Sequence, residues 1–261
     1  MIKVNGSLIQ FTKFPIGEIK LEVPITKVAT IEWHFESCEE LVFVQFIAKH
    51  LRQHNTVDIF LIMPYIPFAR MDRVKSAQEV FTLKYFCEIV NSLNFTCVYV
   101  AEPHSDVAMG LLDRAYVIYS VTSSVHKVLQ ENNFSDEDIL MFPDAGAQKR
   151  YSSLKYPQVV GHKNRDWKTG EITSLEIFGT VPKNGFKALI VDDLCSFGGT
   201  FLHSAKKLRE LGASEVYLLV GHCEESVLHG ELIKTDLINK IYTTDSIFKE
   251  EHEKITIVER F

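Results

Sequence analysis

Apolar residues along this chain fall into short runs separated by longer amphipathic stretches. The runs cover 57–63, 97–101, 116–121, 139–142, 158–161, 188–191 and 216–220. Their β-branched and aromatic content predicts buried strands. Helical patterns lie between them, over 38–53, 80–93 and 201–211. In the last of these, Leu202, Ala205, Leu208 and Leu211 mark one side. Lys206, Lys207 and Arg209 mark the other, and Gly212 closes it. Strands alternating with helices imply parallel sheets with right-handed crossovers, hence an α/β fold.

Two polar stretches interrupt the alternation. Residues 130–138 are a candidate boundary between two halves. Residues 162–173, rich in Lys, Asn, Asp and Gly, follow a strand and predict a mobile loop.

Composition narrows the partners. The chain has 261 residues, 46% of them hydrophobic, enough for one large domain or two small ones. A net charge of −6 argues against a nucleic-acid backbone as partner, which needs a basic face. Any phosphate must therefore be held by local loops. The five cysteines, Cys38, Cys87, Cys97, Cys195 and Cys223, are odd in number and include no C-x-x-C pair. They read as reduced thiols. No leader pattern and no apolar run near the ~18 residues of a membrane span are present. The default expectation is a cytoplasmic protein with no membrane partner.

The most informative segment joins the 188–191 run to the 201–211 helix: Asp192-Asp193-Leu194-Cys195-Ser196-Phe197-Gly198-Gly199-Thr200. The start of a helix presents unpaired N–H groups and a positive dipole end, which suits a phosphate. Gly198 and Gly199 let the backbone come close, and Ser196 and Thr200 can donate hydroxyl hydrogens. The two carboxylates are poor phosphate ligands, but they suit sugar hydroxyls or a magnesium ion. A Gly-Gly turn alone is common; the acidic pair before it makes the pattern specific. The whole segment resembles the 5-phosphoribosyl-diphosphate loop of type I phosphoribosyltransferases and of ribose-phosphate diphosphokinases.

The rest of the chain separates those two families. Residues 63–73, Met-Pro-Tyr-Ile-Pro-Phe-Ala-Arg-Met-Asp-Arg, resemble the Pro-Tyr-x-x-Tyr-Ala-Arg-Gln-Asp-Arg segment of the diphosphokinases. Residues 142–150 resemble their Pro-Asp-Ala-Gly-Gly-x-x-Arg segment. His104 resembles the histidine of their Asp-Leu-His segment, and 14–18 their Phe-Ser-Asp-Gly-Glu loop. All stand in the family's order, and no pattern for a base-recognising hood is visible. The chain is identified as a member of the ribose-phosphate diphosphokinase family.

That resemblance implies two tandem phosphoribosyltransferase-like domains, each a mainly parallel sheet flanked by helices. They are drawn at 1–130 and 131–249, with 250–261 as a candidate return to the first. It implies a magnesium-dependent transfer of the β,γ-diphosphoryl group of ATP to the anomeric hydroxyl of ribose 5-phosphate. Lys163 and Arg165 would be the transition-state cations, and His104 a third catalytic residue. Phe14, Glu18, Arg70, Asp72 and His104 would bind ATP, and His104 and Asp144 would ligate Mg²⁺. Residues Asp192, Asp193 and Cys195 through Thr200 would bind ribose 5-phosphate. A homo-oligomer is implied, dimer-based and up to a hexamer.

Ile16, Met71, Glu102-Pro103 and Ser196 depart from the family pattern, and the chain is short for it. The first two lie on the nucleotide side. Two alternatives stand beside this reading: a type I phosphoribosyltransferase, and a non-catalytic regulatory subunit of a synthetase.

Overall fold

A computed structural model describes residues 1–165, 172–183, 185–259 and 261, with the side chains of 163–165 and 172–174 outside the description. The chain divides into two compact units, Met1–Ile118 and Tyr119–Phe261.

The first unit is built on strands β1 (Ile2–Val4), β2 (Ser7–Leu8), β5 (Val28–Trp33), β6 (Asp58–Met63), β7 (Cys97–Ala101) and β8 (Ala115–Ile118). They form one sheet in the order β2-β1-β5-β6-β7-β8. The pairs from β5 to β8 are parallel, and β1 runs antiparallel to β5. Strands β3 (Phe11–Lys13) and β4 (Ile19–Leu21) form a separate hairpin. Helices α1 (Glu40–Gln53), α2 (Thr82–Ser92) and α3 (Asp106–Leu111) complete the unit. On β6, Ile59, Leu61 and Met63 are buried and alternate with half-buried residues, the period of a strand with one closed face. Phe43, Val44, Ile47 and Leu51 of α1 and Leu83, Phe86 and Val90 of α2 join the same core, at the spacing of an amphipathic helix.

The second unit contains α4 (Ser120–Glu131), β9 (Ile139–Phe142), α5 (Ala145–Arg150), β10 (Gln158–Arg165), β11 (Ile172–Phe178), β12 (Lys187–Cys195), α6 (Gly199–Glu210), β13 (Glu215–Cys223), α7 (Glu231–Lys234), β14 (Lys240–Thr244) and β15 (Ile255–Glu259). Its sheet has the order β11-β10-β9-β12-β13-β14-β15. All pairs are parallel except β10 with β11. Every residue of β9 is buried, because both faces are covered. Ile139, Met141, Ile190 and Leu218 pack with α6 on one face. Leu140, Phe142, Leu189 and Val191 pack with α4 and α5 on the other.

The expected fold class is observed, but the division is not where the polar stretch suggested. Residues 119–131 belong to the second unit, because Val121, Val125, Val128 and Leu129 of α4 pack against its sheet. The apolar run at 116–121 is accordingly split between the end of β8 and the start of α4. The candidate return of 250–261 to the first unit does not occur: β15 pairs in parallel with β14. Among the described residues, no helix is long and apolar enough to cross a membrane.

Candidate active site

The topology of the second sheet marks one place. The chain leaves β9 through α5 toward β10 on one side, and leaves β12 through α6 toward β13 on the other. In an open α/β sheet, the crevice beyond the carboxyl ends of two such strands is where ligands bind. Asp144 stands two residues beyond β9, and Asp192 and Asp193 lie near the carboxyl end of β12.

Strand alternation sends the two aspartates to opposite faces. Asp193 is buried on the α5 side, where the Arg150 guanidinium pairs with it at 3.0 Å. Burial alone would weaken the Arg150 charge, but Asp193, and then Asp192 more weakly, hold its pKa above the ordinary arginine value. Asp192 accepts a hydrogen bond from its neighbour's backbone N–H at 2.9 Å. Burial, the Asp193 carboxylate and, more weakly, Asp144 raise the Asp192 carboxyl well above the usual carboxylate range. Asp144 caps α5, accepting from the Ala147 N–H at 3.1 Å. Beside it, toward β10, opens a cavity of about 450 Å³ that Gly146, Gly161, His162 and Phe178 also line.

The turn after β12 is a built loop. Gly198 is the N-cap of α6 at φ 84°, in the left-handed region, and gives the helix no side-chain cap. The first-turn amides therefore face outward without a side-chain acceptor. A side-chain carbon at Gly198 would lie 2.8 Å from Leu232 Cβ, so glycine is required there for space as well as for angle. Gly199 has no atom within 4 Å of that direction, which leaves an approach to the amides. Ser196 Oγ lies 3.1 Å from Ser226 Oγ. Phe197 is exposed. The side chain of Cys195 is fully buried in the core. Contact with Cys223 and burial push that thiol's pKa up.

Other expected residues fall elsewhere. The backbone of Lys163 and Arg165 lies in β10, paired with Leu175 and Ile172 of β11. Their side chains lie outside the described residues. Phe14 and Glu18 bracket the tip of the β3–β4 hairpin, where the Phe14 N–H donates to the Glu18 carbonyl at 2.7 Å. Both residues are exposed, as is Ile16. Arg70 is exposed and Asp72 half-buried in the segment between β6 and α2, and His104 follows the carboxyl end of β7. These five belong to the first unit; Asp144, Lys163, Arg165 and the loop belong to the second. Among the described residues, no group of three or more His, Cys, Asp or Glu side chains gathers as a metal cage.

Arg150, Ser226 and Glu224 carried no expected role. Arg150 had a local signal, a cation one helix turn and a half after Asp144. Ser226 had none, because its partner lies 30 residues away.

No protein-family model matches the chain. Among curated proteins, it is similar to ribose-phosphate pyrophosphokinase 1 of Listeria monocytogenes, 27% identical over 85% of this chain and 70% of that one. It is also similar to the ribose-phosphate pyrophosphokinase of Fusobacterium nucleatum, 25% identical over 94% of this chain and 80% of the other. Among solved structures, the fold matches the phosphoribosylpyrophosphate synthetase of Mycobacterium smegmatis with a TM-score of 0.78 at 18% identity, over 96% of this chain and 85% of that one.

Proposed function

We propose that this relative of the ribose-phosphate pyrophosphokinases transfers the β,γ-diphosphoryl group of ATP to the anomeric oxygen of ribose 5-phosphate, releasing AMP. One observation carries the reading: an aspartate pair and an uncapped helix start meet at the switch point of a parallel sheet. Carboxylates fit sugar hydroxyls, and backbone amides fit a phosphate, so a sugar phosphate satisfies both at once.

The roles follow from the chemistry. Asp192 accepts from the ribose hydroxyls. Asp193, neutralised by Arg150, fixes the end of β12 so that Asp192 is held in place. The amides that follow Gly198, with the Thr200 hydroxyl, hold the 5-phosphate. The anomeric oxygen forms a bond to the β-phosphorus of ATP as the bond to the α,β-bridging oxygen breaks. AMP leaves with that oxygen, and the hydroxyl proton passes to solvent. Lys163 and Arg165 meet the charge that spreads over the non-bridging oxygens. Phe14, Glu18, Arg70 and Asp72 hold the nucleotide.

The donor set suits magnesium, a hard cation that takes one or two carboxylates with phosphate and water oxygens. Burial first, and then the Asp193 and Asp144 carboxylates, raise Asp192; a cation beside Asp144 would relieve the second of these. On the second unit Asp144 would hold it, and it would supply charge neutralisation for the transferred group.

The test is AMP formation from ATP and Mg²⁺, followed by chromatography with and without ribose 5-phosphate. AMP dependent on the sugar phosphate supports the reading. Its absence, with release of pyrophosphate from phosphoribosyl pyrophosphate and a nucleobase, would replace it with a transferase. Lys163→Ala should lower kcat by about 10²-fold or more and leave the melting temperature unchanged. An unaltered kcat would remove Lys163 from the mechanism.

A further inference from the structure

We infer that Ser226 is a positioning residue for the phosphate loop, held in turn by Glu224; the inference rests on the reading of that loop as the ribose 5-phosphate site. The segment after β13 meets the loop residue by residue. The Glu224 N–H donates to the Cys195 carbonyl at 2.8 Å. Ser226 Oγ lies 3.1 Å from Ser196 Oγ. A side-chain carbon at Gly230 would collide with the Phe197 carbonyl oxygen, and one at Gly198 would collide with Leu232. Four successive loop residues, Cys195 to Gly198, are thus each seated against one residue of 224–232.

Ser226 is the polar member of this clamp that reaches a ligand-facing group. Its hydroxyl donates to Glu224 Oε2 at 3.2 Å. With that single hydrogen committed, Ser226 can only accept from Ser196, which fixes the Ser196 rotamer. When a phosphate arrives, the Ser196 hydrogen must turn to it. The Ser226 hydrogen can then fill the lone pair left on Ser196 Oγ. The pair works with either polarity, so Ser196 stays in place before and after binding. Alanine at 226 would leave Ser196 free to rotate and would leave its oxygen without a donor in the bound state. Neither Ser226 nor Glu224 touches the nucleotide in this reading, so the effect should fall on one substrate.

The experiment compares the full-length protein with Ser226→Ala and Ser226→Thr. It measures ribose 5-phosphate binding by calorimetry and, in turnover, KM for each substrate and kcat. Loss of one neutral hydrogen bond predicts that Ser226→Ala raises Kd and KM for ribose 5-phosphate about three- to tenfold. KM for ATP and kcat should hold within about twofold, and Ser226→Thr should restore the wild-type values. An unchanged KM for ribose 5-phosphate in Ser226→Ala would overturn the inference. So would an equal loss toward both substrates that threonine does not repair, since that marks packing alone. If the wild-type protein binds no ribose 5-phosphate, the reading of the loop fails and takes the inference with it, an outcome visible without any variant.

Discussion

Asp192 carries the sharpest consequence at the level of single residues. Its folded-state pKa is raised by burial and by the Asp193 and Asp144 carboxylates, so the native state binds this proton more tightly than the unfolded chain does. The stability it contributes is complete below the ordinary aspartate value of about 3.9. It is lost as pH climbs from there through the raised value. Above the ordinary value the buried carboxyl therefore costs stability relative to a neutral side chain. Asp192→Asn should unfold at a higher urea concentration than the wild type at pH 7. The gap should close as pH falls toward 4. A gap constant across pH 4 to 8 would mean that Asp192 is not held against its charge. The same substitution should weaken ribose 5-phosphate more than ATP. Asp193 would not serve as a control, because removing it takes the paired carboxylate from the half-buried Arg150 guanidinium.

Among the elements, the β12–loop–α6 unit separates two adjacent glycines. Gly198 is left-handed and pressed against Leu232, whereas Gly199 has open space where a side chain would go. Gly198→Ala must bear a backbone cost of about 1–2 kcal/mol and an overpacking cost of about 1–3 kcal/mol. Gly199→Ala bears neither and should leave the unfolding midpoint near wild type. Instead it should raise KM for ribose 5-phosphate, because its new methyl group sits in the approach to the helix amides. Denaturant unfolding and steady-state kinetics on the two variants check this. Similar stability losses in both would mean that the loop is not seated as described.

For the whole molecule, the decisive element is α4. Val121, Val125, Val128 and Leu129 bury themselves in the second unit. Four such side chains are worth roughly 6–12 kcal/mol, as much as the total stability of an ordinary domain, about 5–15 kcal/mol. A fragment of residues 119–261 should unfold cooperatively on heating, while one of residues 131–261 should show no thermal transition by circular dichroism. A cooperative transition in the shorter fragment would assign α4 to the first unit or to neither.

By itself the sequence determined what is local. The apolar run, the two carboxylates, the Ser-x-Gly-Gly turn and the amphipathic helix are each set by spacing and by backbone preference within about 25 residues, and all are found in order. Helix α1, α2 and α6 fall within two residues of the stretches their periodicity predicts. Tertiary structure decided which element serves which core. Periodicity shows that one face of α4 is buried but not which sheet buries it, so the polar stretch after it was a misleading boundary. Strand β15 is apolar enough for any sheet edge, and its pairing with β14 is a matter of register and proximity. Long-range pairs, Arg150 with Asp193 and Ser196 with Ser226, leave no periodic trace, because a hydrogen bond needs only two ends that folding brings within about 3 Å.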